Sequence, residues 1–475
     1  MINDFFNVLL PQGCLGLFII VQIFLSMFLS PRHYKLSRLI SLVGISLSIV
    51  LLSTVQVEPQ YFGFRNSIMS DSYTLLFHFI ILLCGFFVVL LTGNLIKKLK
   101  QHAFSINSLL LTAILGGMSI VSSNDLLTLL VSIELLSFPT YFLIASTKGY
   151  ESKEASFKYL ITSAVSTGVF LFGASYLYGI TGSINLNEIY ESIVEQAPSF
   201  IYAIACILTV LGLLAKLAIF PFANWIIDVY KGAETSILAY LSTIPKLALF
   251  GILCRFLVFP LSNSFELTFV IGIIALVTAL WANSYAIRSE NIKVVFACSD
   301  AANASYVLLA AGLVSVYNLS TVIFYLLCYV IMNIGAFAYL NIIEHNKLPL
   351  TLENVVGLIK GNYGITLAYI LLIVGLAGFP ITSGFIAKIY LFSAIAHSGL
   401  IFIPFLIILL VLTVIALYYY LKLIRPLFKE REGEIKLNIL FSQKIVLIIT
   451  VMITLIIGIY PQKLIELCKF IAYNI

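Results

Sequence analysis

Residues 205–250 read ACILTVLGLLAKLAIFPFANWIIDVYKGAETSILAYLSTIPKLALF. The stretch is apolar enough to lie in a bilayer, yet Lys216 and Lys246 stand inside its hydrophobic runs, close to Pro221 and Pro245. A lysine near the centre of a membrane helix costs roughly 2.5–3.5 kcal/mol on insertion scales. Pro221 removes a backbone donor and clashes with the preceding turn, so the helix is expected to break there. Backbone freed in this way survives in a membrane only where it is buried in protein or faces water. Charge and broken helix together inside lipid point to an ion pathway. The plainer alternative is that each lysine snorkels or pairs to lock helices together.

The rest of the chain has the same character. Of 475 residues, 61% are hydrophobic and 10% are charged, with a mean hydropathy of +1.08, which excludes a soluble globular domain. Apolar stretches of about 18 residues or more, each long enough to span the hydrocarbon core, follow one another with short loops. Spans are expected at about 13–30, 39–56, 73–93, 106–123, 125–146, 155–181, 200–222, 236–258, 266–287, 292–313, 317–342, 364–396, 400–424 and 443–460. The class is an all-α polytopic membrane protein of about fourteen helices. The first apolar stretch has no basic region before it and reads as a retained helix.

Loop charge orients the spans. Basic residues such as Arg32, Lys35, Arg38, Lys97, Lys98, Lys100 and Lys231 fall in odd-numbered loops, whereas the even-numbered loops offer only Arg65 and Arg255. Under the positive-inside rule the odd loops face the cytoplasm or matrix and both termini face outward. The net charge of +6 therefore reads as topology rather than as affinity for nucleic acid. The seven cysteines and five histidines are dispersed without ligand spacing, so no metal or iron–sulfur site is expected.

Phe220-Pro221 interrupts the seventh span and Phe379-Pro380 the twelfth, five helices later. Paired breaks in corresponding halves are a mark of inverted-repeat transporters. The organisation expected is N-terminal helices over 1–104, a first five-helix repeat over 105–258, a second over 259–425, and a C-terminal helix in 426–475. Glu134, alone in LLTLLVSIELLSFPTYFLI, and Lys388, after the second break, join Lys216 and Lys246 as intramembrane charges. Burial disfavours the charged form of a lysine, which equips three such residues to gain and lose protons beside one acid. Lys293, Asp300 and Asn303 are accessory candidates, with Asp300 equally readable as a residue near water at a helix end.

The run PFANWIIDVYKGAETSILAYLSTIPK (221–246) resembles the signature PFHxWxPDVYxGAPTPVxAFLSxxPK of the antiporter-like membrane subunits of respiratory complex I. GLAGFPITSGFIAKIYLF (375–392) resembles their second-half signature AGIPPLAGFxxKFYLF, and residues 154–189 look like the stretch peculiar to subunit N, which is subunit 2 in mitochondria. By this resemblance Glu134 is the acid of the fifth helix, Lys216 the lysine of the broken seventh, Lys246 that of the eighth and Lys388 that of the broken twelfth. Ala223 and Asn303 stand where the family has histidines, and Glu234 where it has a proline.

The resemblance implies a proton-translocating subunit of NADH:quinone oxidoreductase in a bacterial plasma membrane or mitochondrial inner membrane. It implies neighbouring membrane-arm subunits as partners, no cofactor in this chain, and FMN, iron–sulfur clusters and quinone held by other subunits. The alternatives are a Na⁺/H⁺ antiporter or hydrogenase subunit of the same architecture, or a scaffold that fills the membrane arm without pumping.

Overall fold

The computed structural model describes residues 8–55, 60–147, 149–195, 200–261, 265–431 and 433–474. Its first part comprises α1 (Leu10–Phe28), α2 (Tyr34–Leu52), a small hairpin of β1 (Tyr61–Gly63) and β2 (Ile68–Ser70), α3 (Ser72–Leu91) and the short α4 (Gly93–Lys98). There follow α5 (Ala103–Ser122), α6 (Leu126–Ala145), α7 (Tyr150–Thr181), α8 (Leu186–Glu195), α9 (Phe200–Lys216), α10 (Trp225–Gly232), α11 (Thr235–Leu241) and α12 (Ile244–Leu261). The second part comprises α13 (Phe265–Arg288), α14 (Ile292–Gly312), α15 (Val316–His345), α16 (Tyr363–Ala377), α17 (Ser383–His397), α18 (Ile403–Ile424), α19 (Phe441–Ile459) and α20 (Gln462–Tyr473).

Among the described residues, twelve helical stretches are long and apolar enough to cross a membrane, and two shorter apolar helices, α9 and α16, each run into a break and resume. Together they make the fourteen spans that the hydropathy predicts. The most apolar stretches of 235–257, α14 and α15 are buried throughout, whereas only 28% of the corresponding stretches of α1, α2, α18 and α19 is. The bundle therefore has an inner group of helices with lipid-facing ones around it.

Close approach of α7 and α9 sets the position of Lys216. A Cβ on Gly173 would lie 2.5 Å from the backbone nitrogen of Thr209, and one on Gly212 would lie 2.7 Å from that of Phe170. Two glycines thus remove the side chains that would hold the helices apart, the device by which membrane helices pack without a hydrophobic driving force between them.

The structure corrects the sequence reading in three places. Arg255 is not in a loop: it lies inside α12, 1% exposed, with Nη2 2.6 Å from Oδ1 of a fully buried Asp71. An arginine near a span end passes for loop charge when its acid is far away in the chain, and its removal leaves Arg65 alone among the basic residues assigned to even-numbered loops. The eighth span is not one helix, because it divides at Ser242 and Thr243 between α11 and α12. Pro245, in the first turn of α12, has no N–H to continue the ladder of α11. The C-terminal region holds a second helix, α20, after α19.

Candidate functional site

Each intramembrane lysine stands at a helix break. Lys216 is the last residue of α9, and Ala218, two residues on, has φ of +58°, a left-handed conformation uncommon for a residue with a Cβ. The carbonyl of Ala215 at the break accepts from the Ala218 N–H at 3.3 Å and from the Trp225 indole N–H at 3.1 Å, and the Phe220 N–H donates to Thr278 Oγ1 at 3.1 Å. The Lys216 ammonium donates to Ser163 Oγ at 2.6 Å and Ser137 Oγ at 3.2 Å. Glu134 Oε1, 3.7 Å from that ammonium, accepts from Thr167 Oγ1 at 2.7 Å. The Lys216 side chain is 4% exposed and that of Glu134 is 41% exposed, on the side of α6 where Leu127, Val131 and Phe138 are also exposed.

The second break mirrors the first in its parts. Helix α16 ends at Ala377, Gly378 follows with φ of +87°, and Ile381 has φ of +75°. A β-branched residue held there is strained, and such strain persists only where the surroundings over-determine it. Lys388 reaches back from α17 to donate to the carbonyls of Leu376 and Ala377, both at 2.9 Å. Its positive charge thus caps the negative end of α16. Pro221 and Pro380 both lie in these non-helical segments.

Lys246 stands in the first turn of α12, at the third break. Its ammonium donates to the backbone carbonyl of Asp300 at 2.8 Å and to the Tyr329 hydroxyl at 3.4 Å, and lies 3.6 Å from Asp300 Oδ2. Asp300 is fully enclosed and accepts hydrogen bonds from the hydroxyls of Tyr230 and Tyr329 and, at 2.8 Å, from Asn333 Nδ2. It is an interior carboxylate, not one near water at a helix end. One turn further along α14, Asn303 accepts from the Tyr325 hydroxyl at 2.7 Å and donates to the carbonyl of Ser299 at 2.8 Å and to the Tyr420 hydroxyl at 3.2 Å. A small cavity of about 10 Å³ lies between this group and Lys388, lined by Asn303, Tyr325, Tyr329 and Lys388 among others.

Lys293 belongs to a separate cluster at the end of the bundle that carries the odd-numbered loops. Its ammonium donates to Glu344 Oε1 at 2.9 Å and to the Ala233 carbonyl at 2.7 Å. Glu344 Oε2 accepts from the Thr235 N–H at 2.9 Å and hydroxyl at 2.5 Å, and Glu234 is paired with Lys98 at 2.7 Å. Burial, and then the neighbouring Glu344 carboxylate, push the Glu234 carboxyl up to about 7.

The structure thus brings Glu134 to Lys216 and Asp300 to Lys246, while Lys388 has no ion pair among the described residues. Ala223 is buried and contributes no polar group in place of a histidine side chain. Sequence reasoning missed Ser137, Ser163 and Thr167 around the first pair, and Tyr230, Tyr329 and Asn333 around Asp300. A signal for the last two was present: Tyr325, Tyr329 and Asn333 recur every four residues within the apolar α15, which places them on one face of the helix.

A family model described as NADH:quinone oxidoreductase/Mrp antiporter, TM, matches residues 123–416. The NADH-quinone oxidoreductase subunit N of Anoxybacillus flavithermus is 33% identical over 451 residues, covering 91% of this chain and 89% of that protein. Among solved structures, a chain of respiratory complex I from Thermus thermophilus superposes with a TM-score of 0.81 at 26% identity, over 96% of this chain and 98% of that one. A chain of the Mrp complex from Dietzia shares the fold, with a TM-score of 0.84 at 19% identity over 100% of this chain and 97% of that one.

Proposed function

The chain belongs to the subunit N family of NADH-quinone oxidoreductase, within the larger NADH:quinone oxidoreductase/Mrp antiporter membrane family, and from that premise we propose that it moves protons through Glu134, Lys216, Lys246 and Lys388. It is an integral membrane subunit, and its partners are the other subunits of that complex. Its contribution is to move protons across the bilayer while other subunits, which hold FMN, iron–sulfur clusters and quinone, carry the electrons. No redox group is bound by this chain, and nucleic acid is not among its partners.

One observation carries this reading: all three intramembrane lysines are anchored at helix breaks, and two of them face a carboxylate at 3.6–3.7 Å. A helix end offers fixed carbonyl or N–H dipoles in a low-dielectric interior, where a charge is sensitive to its neighbours. Lys216 is held charged by Glu134, Ser137 and Ser163. Drawing the Glu134 charge away weakens that hold, and the proton passes inward to Lys246 and on to Lys388, which exchanges it with one side of the membrane. Lys293, in the cluster with Glu344, supports the supply of protons from the end that carries the basic loops.

The test is Lys216→Ala in the whole complex, reconstituted in vesicles. The complex is expected to assemble and to lose both quinone reduction coupled to pumping and the pumping itself. Intact assembly with an unchanged proton-to-electron ratio would remove Lys216 from the pathway and leave the scaffold reading.

A further inference from the structure

We infer that Asp300 is a second proton-carrying carboxylate of this chain, taking its proton from Lys246 through the hydroxyl of Tyr329 and passing it on toward Lys388; this deepens the relay reading above and rests on it. Lys216 and Lys388 each have carbonyl ends of helices beside them, where a cation is favoured. Lys246 is placed the other way, in the first turn of α12, where the dipole opposes its charge. The compensating charge is Asp300.

A pair whose purpose is to lock helices would place ammonium and carboxylate in direct hydrogen bonds. Here the ammonium bonds the backbone carbonyl of Asp300 at 2.8 Å, while the carboxylate lies 3.6 Å away, held by two tyrosine hydroxyls and an amide. Neutral donors fix Asp300 in place whether or not it carries a charge, so protonation does not release it. An unpartnered buried carboxylate lacks that freedom, because its charged form is penalised without compensation.

Tyr329 is the connecting group. Its oxygen accepts from Lys246, its proton is donated to Asp300 Oδ1, and its side chain lines the cavity that it shares with Lys388. In the step, the Tyr329 O–H breaks as its proton bonds to Asp300 Oδ1, and the same oxygen takes a proton from Lys246. A neutral amine, an unchanged phenol and a carboxylic acid result, with no other reactant needed. The acid returns the proton through Tyr329 to the cavity, which has space for about one water molecule, and the amine of Lys388 receives it.

The two lysine–carboxylate pairs then differ in what they answer to. Glu134 is 41% exposed and is open to charges outside the chain, whereas Asp300 is enclosed and answers only to charges inside it.

The assay is proton pumping by the whole complex in vesicles, with infrared difference spectra recorded during turnover. Asp300→Asn is expected to lower the proton-to-electron ratio and abolish a protonated-carboxyl C=O band, and Asp300→Glu to restore both. Tyr329→Phe keeps the ring and removes the bridge, so it decides the matter even where Asp300→Asn does not assemble: reduced pumping in an assembled complex supports the inference. Full pumping by assembled Asp300→Asn or Tyr329→Phe overturns it. Lys216→Ala in the same assay separates the two readings, because a pumping defect there with none in Tyr329→Phe sinks this inference alone.

Discussion

Glu134 Oε1 lies 3.7 Å from Lys216 Nζ, near enough to attract the ammonium and too far to hydrogen-bond it. The lysine is enclosed and the acid is not, so the pair spans the boundary between the bundle interior and its surface.

Glu134→Gln preserves shape and removes charge, and it is expected to lower pumping less than Lys216→Ala does. Glu134→Ala combined with Lys216→Ala should cost much less than the two losses added, because groups acting as one unit are not additive. Proton-to-electron ratios in vesicles measure all four corners of the cycle, and strict additivity would mean that the two residues act separately.

Arg255 and Asp71 form an enclosed pair at 2.6 Å, away from the lysines' own partners. Asp71→Asn leaves the guanidinium buried without its counter-charge and is expected to cost about 3–5 kcal/mol. A lowered melting temperature of the purified complex in detergent reports the loss. Asp71→Asn with Arg255→Met should recover most of it, since replacing both members of a buried pair with neutral groups is often close to neutral.

The seven cysteines are all buried, so a single added thiol gives a clean topology report. With Leu99→Cys in the loop that carries Lys97, Lys98 and Lys100, an impermeant maleimide is expected to label only from the cytoplasmic or matrix side. Labelling from the outer side alone would reverse the orientation read from loop charge.

The Glu234 carboxyl is raised to about 7 by burial and by Glu344. A raised acid is neutral below that value and charged above it, so wild type resembles Glu234→Gln at acidic inner pH and departs from it as pH rises past about 7. Pumping rates of the two measured across inner pH 6 to 8 test this, and parallel profiles over the whole range would assign Glu234 no such titration.

The spans and the two proline breaks were legible because each is written in a contiguous run of residues. Glu134, Lys216, Lys246 and Lys388 stood out because a charge within such a run is costly wherever it lies. Their partners were harder to read. Asp300 meets Tyr230 and Tyr329 across separations of 70 and 29 residues, and Arg255 meets Asp71 across 184, so no local pattern joins them. The break before Lys246 escaped because Pro245 falls in the first turn of a helix, a position that tolerates proline, and the run on either side stays apolar.

Anchoring each lysine to a helix terminus also determines where the polypeptide tolerates a change of length. One residue added inside α9 would swing Lys216 by about 100° around the axis, out of reach of Ser163 and away from α6. The same addition in the segment between α15 and α16 would leave the ammonium of Lys388 on the carbonyls of Leu376 and Ala377, because that anchor is set at the far end of α16. Insertions and deletions among relatives should therefore collect in the connecting segments and be rare within the half-helices, a pattern that follows from helical pitch alone.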